Sequence, residues 1–334
     1  TRKESSAASD VYKRQVMTGS FLDAMLFSVG VTLPSILLLV LGWYLRRSDQ
    51  IDQRFCDQAS KIVFNYSLPA LLFFSIYRSD TDLLENLNLI LAGVVTIMSL
   101  FLGAELVARR LVKAPRDHGV FVQGVFRANM MIIGLAFVSS AYGANGVAIA
   151  AIFGGVLTLL LNVLAVITLS KATGNKKFNP LLMARQIVTN PLIIGILLSL
   201  ACKWLHVPIP SLIAEAGGYV SSLALPLALI CAGATLDFRK IFSASDIAMW
   251  SSVGRLIVAP IVAVIVGLVF ALSSMELGVM LLMTASPAAA ASYVMAKAMG
   301  ANDVAAANII GITTVGAMPT MAVSLTLLRF FGLI

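Results

Sequence analysis

The chain has 334 residues, of which 59% are hydrophobic and only 12% are charged, and its formal net charge is +8. Soluble domains contain roughly 45–50% apolar and about 25% charged residues, so this composition excludes an ordinary soluble domain and indicates an integral membrane protein. The positive charge does not indicate nucleic-acid binding, because the Lys and Arg residues lie in the gaps between apolar runs. The alternating pattern of a lipid-exposed barrel strand is missing, so helical spans are predicted.

Ten apolar runs follow one another along the chain, each of about the 20 residues that a helix needs to cross the hydrocarbon core. The residues before them, 1–16, are polar and are interpreted as a non-native or disordered leader. The predicted spans are 26–45, 57–77, 87–110, 118–142, 146–169, 184–205, 211–236, 245–272, 276–299 and 302–331. The sequence thus predicts five helices within 17–170, a link at 171–183, and five helices within 184–334.

The basic residues between the spans favour one set of alternate gaps. That set holds Arg46, Arg47, Arg54, Lys61, Arg109, Arg110, Lys113, Arg116, Lys171, Lys176, Lys177, Arg185, Arg239, Lys240 and Lys297. The other set holds only Arg78, Lys203 and Arg329. Because Lys and Arg accumulate on the cytoplasmic side, a multi-pass protein of the cell inner (plasma) membrane is predicted, with both termini outside and the link in the cytoplasm.

Two stretches of the chain are nearly the same and lie 157 positions apart: YGANGVAIAA from Tyr142 and MGANDVAAAN from Met299. The same offset relates two further pairs, which are 31–34 with 188–191, and Leu68-Pro69 with Leu225-Pro226. Three anchors in one register predict an internal repeat of five helices. Because five is odd, the second copy is inverted in the membrane, which is the plan of many secondary transporters.

Proline interrupts the ninth predicted span at Pro287, in TASPAAAAS, because it removes a backbone donor and clashes with the preceding turn. The offset pairs Ser286 with Asn129 and Pro287 with Met130, so a break in the fourth span relies on Asn129, Gly134 and packing. In inverted-repeat transporters the substrate lies near the midplane, where interrupted helix ends offer backbone dipoles. Asn129, Ser286 and Pro287 are therefore candidate substrate-binding residues.

Two arginines lie deep in predicted spans, Arg127 in the fourth and Arg255 in the eighth. Each costs at least ~2.5–3.5 kcal/mol to insert, and no buried carboxylate accompanies them, so an anionic substrate is favoured. Arg127 could hold a carboxylate with its planar fork, or it could bind carbonyls freed by a helix break; both roles stay open. Arg255, near Pro260, is interpreted as a structural or electrostatic residue.

Further polar residues near the interruptions are candidates for contact with substrate or ion. Asn65, one turn before Pro69, and Ser292, one turn after Pro287, are assigned to substrate binding. Asn308 and Thr313 in the tenth span are candidate ion contacts, and their oxygens could instead join neighbouring helices. Pro69 and Pro226 are assigned structural roles, and coupling to Na⁺ or H⁺ stays open.

Motifs for other chemistry are missing. Cys56, Cys202 and Cys231 are far apart in the sequence and lack metal-ligand spacing, so neither a disulfide framework nor a zinc site is predicted. There is no HExxH, Walker A or GxSxG motif, so no cofactor, no metal and no enzyme activity are predicted, and this chain cannot itself use ATP to drive transport.

Several motifs together resemble the auxin efflux carrier family, which includes bacterial malate-permease-like members. They are TLPSILLLVLGWYLRR, VFNYSLPALLF, FRANMMIIGLAFVSSAYG, NPLLMARQIVTNPLIIGILL, LALPLALICAGATL, GRLIVAPIV and TASPAAAASYVMAKAMG. The resemblance implies an all-α fold of ten transmembrane helices in two inverted five-helix repeats, with broken, crossing helices four and nine. It also implies a scaffold domain, a transport domain that moves like an elevator, and an organic-anion site at the crossover, which maps onto Asn129 and Ser286-Pro287. The chain departs from plant carriers at Met130, where they usually place a proline, and the short central link resembles bacterial members.

The leading hypothesis is a secondary transporter of small organic anions, most plausibly carboxylates, that works within the lipid bilayer without nucleic acid and could form a homodimer. One alternative is a sodium-coupled symporter of a larger amphipathic anion, as in the related bile-acid symporter fold. Another is a non-transporting membrane sensor or a subunit of a complex. Sodium dependence separates the first two, and transport by the purified protein would dismiss the third.

Overall fold

A computed structural model describes residues 2–79, 86–173, 185, 189–236 and 245–334, with side chains from residue 21 onward except 171–173. Within these residues the fold is helical, with one isolated β-bridge and no sheet. The helices are α1 (Arg2–Arg47), α2 (Gln53–Ile62), α3 (Leu68–Arg78), α4 (Leu87–Leu111), α5 (Pro115–Phe126), α6 (Leu135–Thr173), α7 (Pro191–Trp204), α8 (Ser211–Ser222), α9 (Ala224–Ala234), α10 (Asp246–Val253), α11 (Ala259–Val269), α12 (Ser274–Thr284), α13 (Ala291–Ala298) and α14 (Asp303–Phe330).

Some features predicted from the sequence fall on residues that the structure does not describe. The link at 171–183 and the basic loop residues Arg239 and Lys240 fall largely or wholly outside the described residues. Helix α1 includes the backbone of residues 2–16, and their interpretation as a leader stays a prediction.

The lengths and composition of the helices are those of a multi-pass membrane protein. In the part of the chain that the structure describes, seven helical stretches are long and apolar enough to cross a membrane. Two shorter apolar helices, Pro191–Trp204 and Ser274–Thr284, accompany them. One of the seven stretches, Met130–Ser170, has 41 residues, about twice the length that a single crossing requires.

This long stretch reverses direction at Gly143, whose φ of 58° is favourable only for glycine. Glycines on both sides of the reversal lie close to residues of the other side. A Cβ atom at Gly146 would lie 2.4 Å from Tyr142, one at Gly154 would lie 2.6 Å from the Met131 sulfur, and one at Gly119 would lie 2.8 Å from the Thr168 carbonyl oxygen. Residues 115–142 and 146–170 therefore form an antiparallel helical hairpin, in which glycines let the two arms approach closely.

A second reversal with a left-handed glycine lies 157 positions later, at Gly300, where φ is 75°. It separates α13 from α14, as Gly143 separates the two arms of the first hairpin. The repeated GAN motif thus has the same backbone role at both positions.

Three prolines coincide with irregular helical turns. A π-helical turn, Val63–Ser67, precedes Pro69, and another, Gly254–Val258, precedes Pro260. Near Pro226, α8 ends at Ser222 and α9 begins two residues later. Because the proline ring clashes with the carbonyl four residues earlier, a widened or broken turn removes the clash without ending the span.

The helices can be described as two groups that contact each other. In one group α1 packs on α9, and α3 packs on α7 and α8. The α1–α9 crossing is very close, since a Cβ atom at Gly42 or Gly233 would lie 2.0 Å from a carbonyl oxygen of the other helix. The other group contains α4, α5, α6 and α10–α14 and forms most of the buried core. The two groups meet where α1 packs on α14 and where α6 packs on α1 and α3.

The second reversal is tied to the start of α5 by three hydrogen bonds. Asn302 donates from its side-chain amide to Asp117 at 2.7 Å and from its backbone to the Arg116 carbonyl at 3.2 Å. Arg116 donates from Nε to the Gly300 carbonyl at 3.1 Å. The side-chain oxygen of Asn302 also caps α14, because it accepts a hydrogen bond from Ala305 N at 3.0 Å.

We expect Asn302→Ala to lower the thermal unfolding midpoint by about 2–4 °C, because it removes a helix cap worth about 1 kcal/mol. The measurement is thermal unfolding of the purified protein in detergent. Asn145, at the equivalent position of the first GAN motif, is exposed, so Asn145→Ala is the matched control and should leave the midpoint unchanged. Equal midpoints for the two variants would contradict the assigned cap.

Candidate functional site

Two interrupted helical segments meet in the second group. The first interruption follows the end of α5 at Phe126 and is succeeded by a π-helical turn, Met130–Gly134. The second separates the end of α12 at Thr284 from the start of α13 at Ala291. The two non-helical segments run antiparallel and pair through the β-bridge between Ala128 and Ala288.

The pairing satisfies backbone groups that the interruptions leave without helical partners. Asn129 N donates to the Pro287 carbonyl at 2.7 Å, and Ala289 N donates to the Arg127 carbonyl at 3.0 Å. Unpaired backbone groups are costly in a membrane interior, so each break stabilises the other. The first break forms without a proline of its own.

Side chains of neighbouring helices satisfy two further groups at the breaks. Thr313 Oγ1 of α14 accepts from Ala288 N at 3.0 Å and donates to the Ile309 carbonyl of its own helix at 2.7 Å. Arg255 Nη1 donates to the Val125 carbonyl at 2.8 Å. In an uninterrupted helix that carbonyl would accept from Asn129 N, which here binds Pro287 instead.

Arg127 lies in the first interruption and is only 6% exposed. Its Nη2 donates to the side-chain oxygen of Asn162 at 2.7 Å, and its Nη1 contacts the sulfur of Met295 at 2.9 Å. Within the described residues no Asp or Glu carboxylate lies within ion-pair distance of this guanidinium. A buried positive charge therefore has a neutral amide oxygen and a thioether, a weak acceptor, as its partners.

Arg255 is a second buried cation, fully shielded from solvent. Apart from the bond to Val125, its Nε and Nη2 atoms have no hydrogen-bond partner. Its guanidinium lies at the C-terminal end of α5, where a positive charge compensates the negative end of the helix dipole. The structural or electrostatic role assigned to Arg255 stays a prediction.

The remaining candidate residues differ in their exposure and in whether their side chains have a hydrogen-bond partner. Asn129 is half-buried and its side-chain amide makes no hydrogen bond to described residues, whereas Ser286 donates to the Met283 carbonyl at 2.8 Å. Ser292 Oγ and Asn308 Oδ1 are buried without a partner, at positions eight residues on either side of Gly300. Asn65 is exposed in the π-turn Val63–Ser67, and its assignment to substrate binding stays a prediction.

Two contacts of Arg127 were not identified from the sequence. Asn162 belongs to the second arm of the first hairpin, and Met295 belongs to α13. The sequence carries a signal for Asn162, since it is a single amide within the apolar run LLLNVLAV. Met295 has no such signal, because methionine is an ordinary apolar residue of a membrane helix.

A cavity of about 320 Å³ lies between α1, α3, α6 and the α8–α9 break. Five serines contribute to its lining: Ser35, Ser139, Ser140, Ser221 and Ser222. Pro34 and Pro226, which belong to the repeat anchors, line it as well. Hydroxyl groups on a cavity wall can hydrogen-bond water or a polar solute inside the membrane.

The chain is similar to transport proteins of other organisms. It is 26% identical over 279 residues to an uncharacterized transporter of Methanothermobacter thermautotrophicus, covering 80% of this chain and 88% of the relative. It is 27% identical over 290 residues to the uncharacterized transporter YfdV of Escherichia coli, covering 81% of this chain and 88% of the relative. The family model described as membrane transport protein matches residues 27–180 and 176–325, which confirms the family resemblance of the motifs. The chain thus belongs to the membrane transport protein family, and it is a transport protein rather than an enzyme.

Proposed function

We propose that this protein is a secondary transporter of small organic anions, namely carboxylates. The observation that carries the proposal is the buried guanidinium of Arg127, which lies at the paired helix interruptions and has no carboxylate partner among the described residues. A charge in this environment costs several kcal/mol unless an anion compensates it. Such a site has higher affinity for an anion than for a neutral solute of the same shape.

Binding would use donors that the protein's own side chains engage only weakly. A carboxylate approaching Nη1 of Arg127 would replace the sulfur of Met295, a weaker acceptor, while Nη2 keeps its bond to Asn162. The free side-chain amide of Asn129 would add a second donor, and the backbone around Ser286-Pro287 would form the opposite wall. Charge-assisted bonds of this kind contribute about 1.5–3 kcal/mol each, enough to discriminate an anion from an uncharged analogue.

The mechanism proposed is an elevator, within ten spans arranged as two inverted repeats. Two features support it. The bridge between Ala128 and Ala288 and the contacts of Asn302 join the first hairpin to the second, which is formed by 274–298 and 303–330, so that the two would move as one body. The close α1–α9 crossing at Gly42 and Gly233 gives the group formed by α1, α3 and α7–α9 the rigidity of a scaffold. We place the protein in the inner membrane with both termini outside, on the basis of the distribution of Lys and Arg.

The experiment measures charge displacement by the purified protein in liposomes on a solid support. Chloride is exchanged for a panel of mono- and dicarboxylates, with and without Na⁺, and protein-free liposomes are the control. A saturable response to a carboxylate without Na⁺ is expected. The proposal would be contradicted if no carboxylate of the panel gave a charge displacement. The unfolding transition of the same protein shows whether it is folded.

A sodium-coupled symporter is the second candidate, because Ser292 Oγ and Asn308 Oδ1 are buried oxygens without partners. Na⁺ takes oxygen ligands of this kind in transporters of inverted-repeat design. A response that requires Na⁺, and that Ser292→Ala removes, would favour this candidate over sodium-independent transport.

A further inference from the structure

Two of the three cysteines, distant in the sequence, lie together in the fold. Cys56 on α2 and Cys231 on α9 are 3% and 4% exposed, and they pack in one small buried cluster where the two helices meet. Ala59 and Ala234 complete this small cluster. Their spacing in the sequence could not reveal that two of the three cysteines are neighbours.

The pair lies near the beginning of the second predicted span, two residues after Arg54 and ten after Arg46. By the positive-inside rule this end of the span faces the cytoplasm, where thiols are normally kept reduced. Helix α2 is exposed on the faces other than that of Cys56 and Ala59. A small, uncharged oxidant would therefore have a short path to the two sulfurs.

We propose that Cys56 and Cys231 form an oxidation-sensitive dithiol, which a peroxide converts into a disulfide bond between α2 and α9. One thiol attacks hydrogen peroxide, the O–O bond breaks, the sulfur becomes a sulfenic acid, and the other oxygen leaves as water. The sulfur of the second thiol then attacks the sulfenic sulfur, the S–S bond forms and a second water leaves. In total the two thiols lose two protons and two electrons, and the peroxide accepts them.

The bond would connect the two predicted five-helix units, since Cys56 belongs to 17–170 and Cys231 to 184–334. Both cysteines nevertheless lie on helices outside the paired interruptions, in the group that packs around α1 and α9. The expected effect on transport rests on the proposed elevator function. Because an elevator moves the hairpins past this group, the bond should leave the movement free, whereas a rocking of one repeat against the other would break the contact between Cys56 and Cys231.

The test uses the full chain with Cys202→Ser and a site for a sequence-specific protease inserted in the predicted link, 171–183. The protein is treated with hydrogen peroxide in liposomes, blocked with a thiol reagent, denatured, cleaved and run on a non-reducing gel. We expect the two fragments to stay joined and to separate after reduction. When Cys56→Ser or Cys231→Ser is introduced as well, the fragments should separate without reduction. If the fragments also separate in the protein that retains both cysteines, the proposal is overturned.

The oxidised protein is then assayed for carboxylate transport, and we expect its rate to lie within about twofold of the reduced protein, as for an elevator whose scaffold is cross-linked. If oxidation abolishes transport and reduction restores it, the elevator mechanism is contradicted. The formation of the disulfide bond, which the gel measures, is not affected by that outcome. If reduced protein does not transport either, the proposed function fails, and the gel still decides whether the bond forms.

Discussion

Replacing Arg127 with glutamine is expected to reduce anion transport by about 100-fold, because it removes the positive charge and the planar fork that a carboxylate would bind. Glutamine keeps an amide donor for Asn162, so most of the local packing is retained. The measurement is the saturable charge displacement of Arg127→Gln in liposomes across a range of substrate concentrations. A saturable response equal to that of the unsubstituted protein would contradict the role of Arg127.

Two further variants separate charge, geometry and folding. Arg127→Lys keeps the charge and loses the fork, so its transport should be intermediate. Arg110→Gln removes an exposed positive charge at the end of α4 and should transport normally. If Arg127 only stabilises the break, Arg127→Gln will lower the unfolding midpoint and Arg127→Lys will restore midpoint and transport together. A restored midpoint with transport still clearly below that of the unsubstituted protein assigns Arg127 to the substrate.

The features of the fold that were predictable from sequence are those set by local composition. Hydrophobic runs of span length predict membrane helices because the hydrocarbon core fixes the length of a crossing. Gly143 and Gly300 were found because the same motif occurs twice, and both glycines adopt a left-handed conformation that other residues avoid. The position of Pro287 likewise predicted an interruption, since a missing N–H is a local property.

Features that depend on pairing between distant segments were not predictable in this way. The chain breaks at Arg127–Asn129 without a proline because the Pro287 carbonyl competes for Asn129 N, and no local pattern encodes that bond. The acceptors Asn162 and Met295 lie on two different helices, so only the packed structure shows that they, and no carboxylate of the described residues, contact Arg127. The neighbouring thiols of Cys56 and Cys231 were hidden for the same reason.

Thr313→Val is the second substitution for which a large effect is expected, because it tests the link between α14 and the break in the ninth predicted span. Valine has nearly the shape of threonine but cannot accept from Ala288 N, which would be left buried without a partner at a cost of about 1–3 kcal/mol. The break should then be less well ordered. We expect a lower unfolding midpoint and roughly tenfold slower anion transport, measured on the same liposome preparations.

Thr314→Val is the matched control, since the adjacent Thr314 is also buried and its hydroxyl donates only to the Ile310 carbonyl of its own helix, at 2.7 Å. That carbonyl keeps its backbone partner when the hydroxyl is removed, so both midpoint and transport should stay close to those of the unsubstituted protein. Equal behaviour of the two variants would show that the bond to Ala288 does not hold the break. A defect confined to Thr313→Val would instead mean that transport depends on how firmly the interrupted backbone is fixed, which is the condition for a site built largely from helix ends.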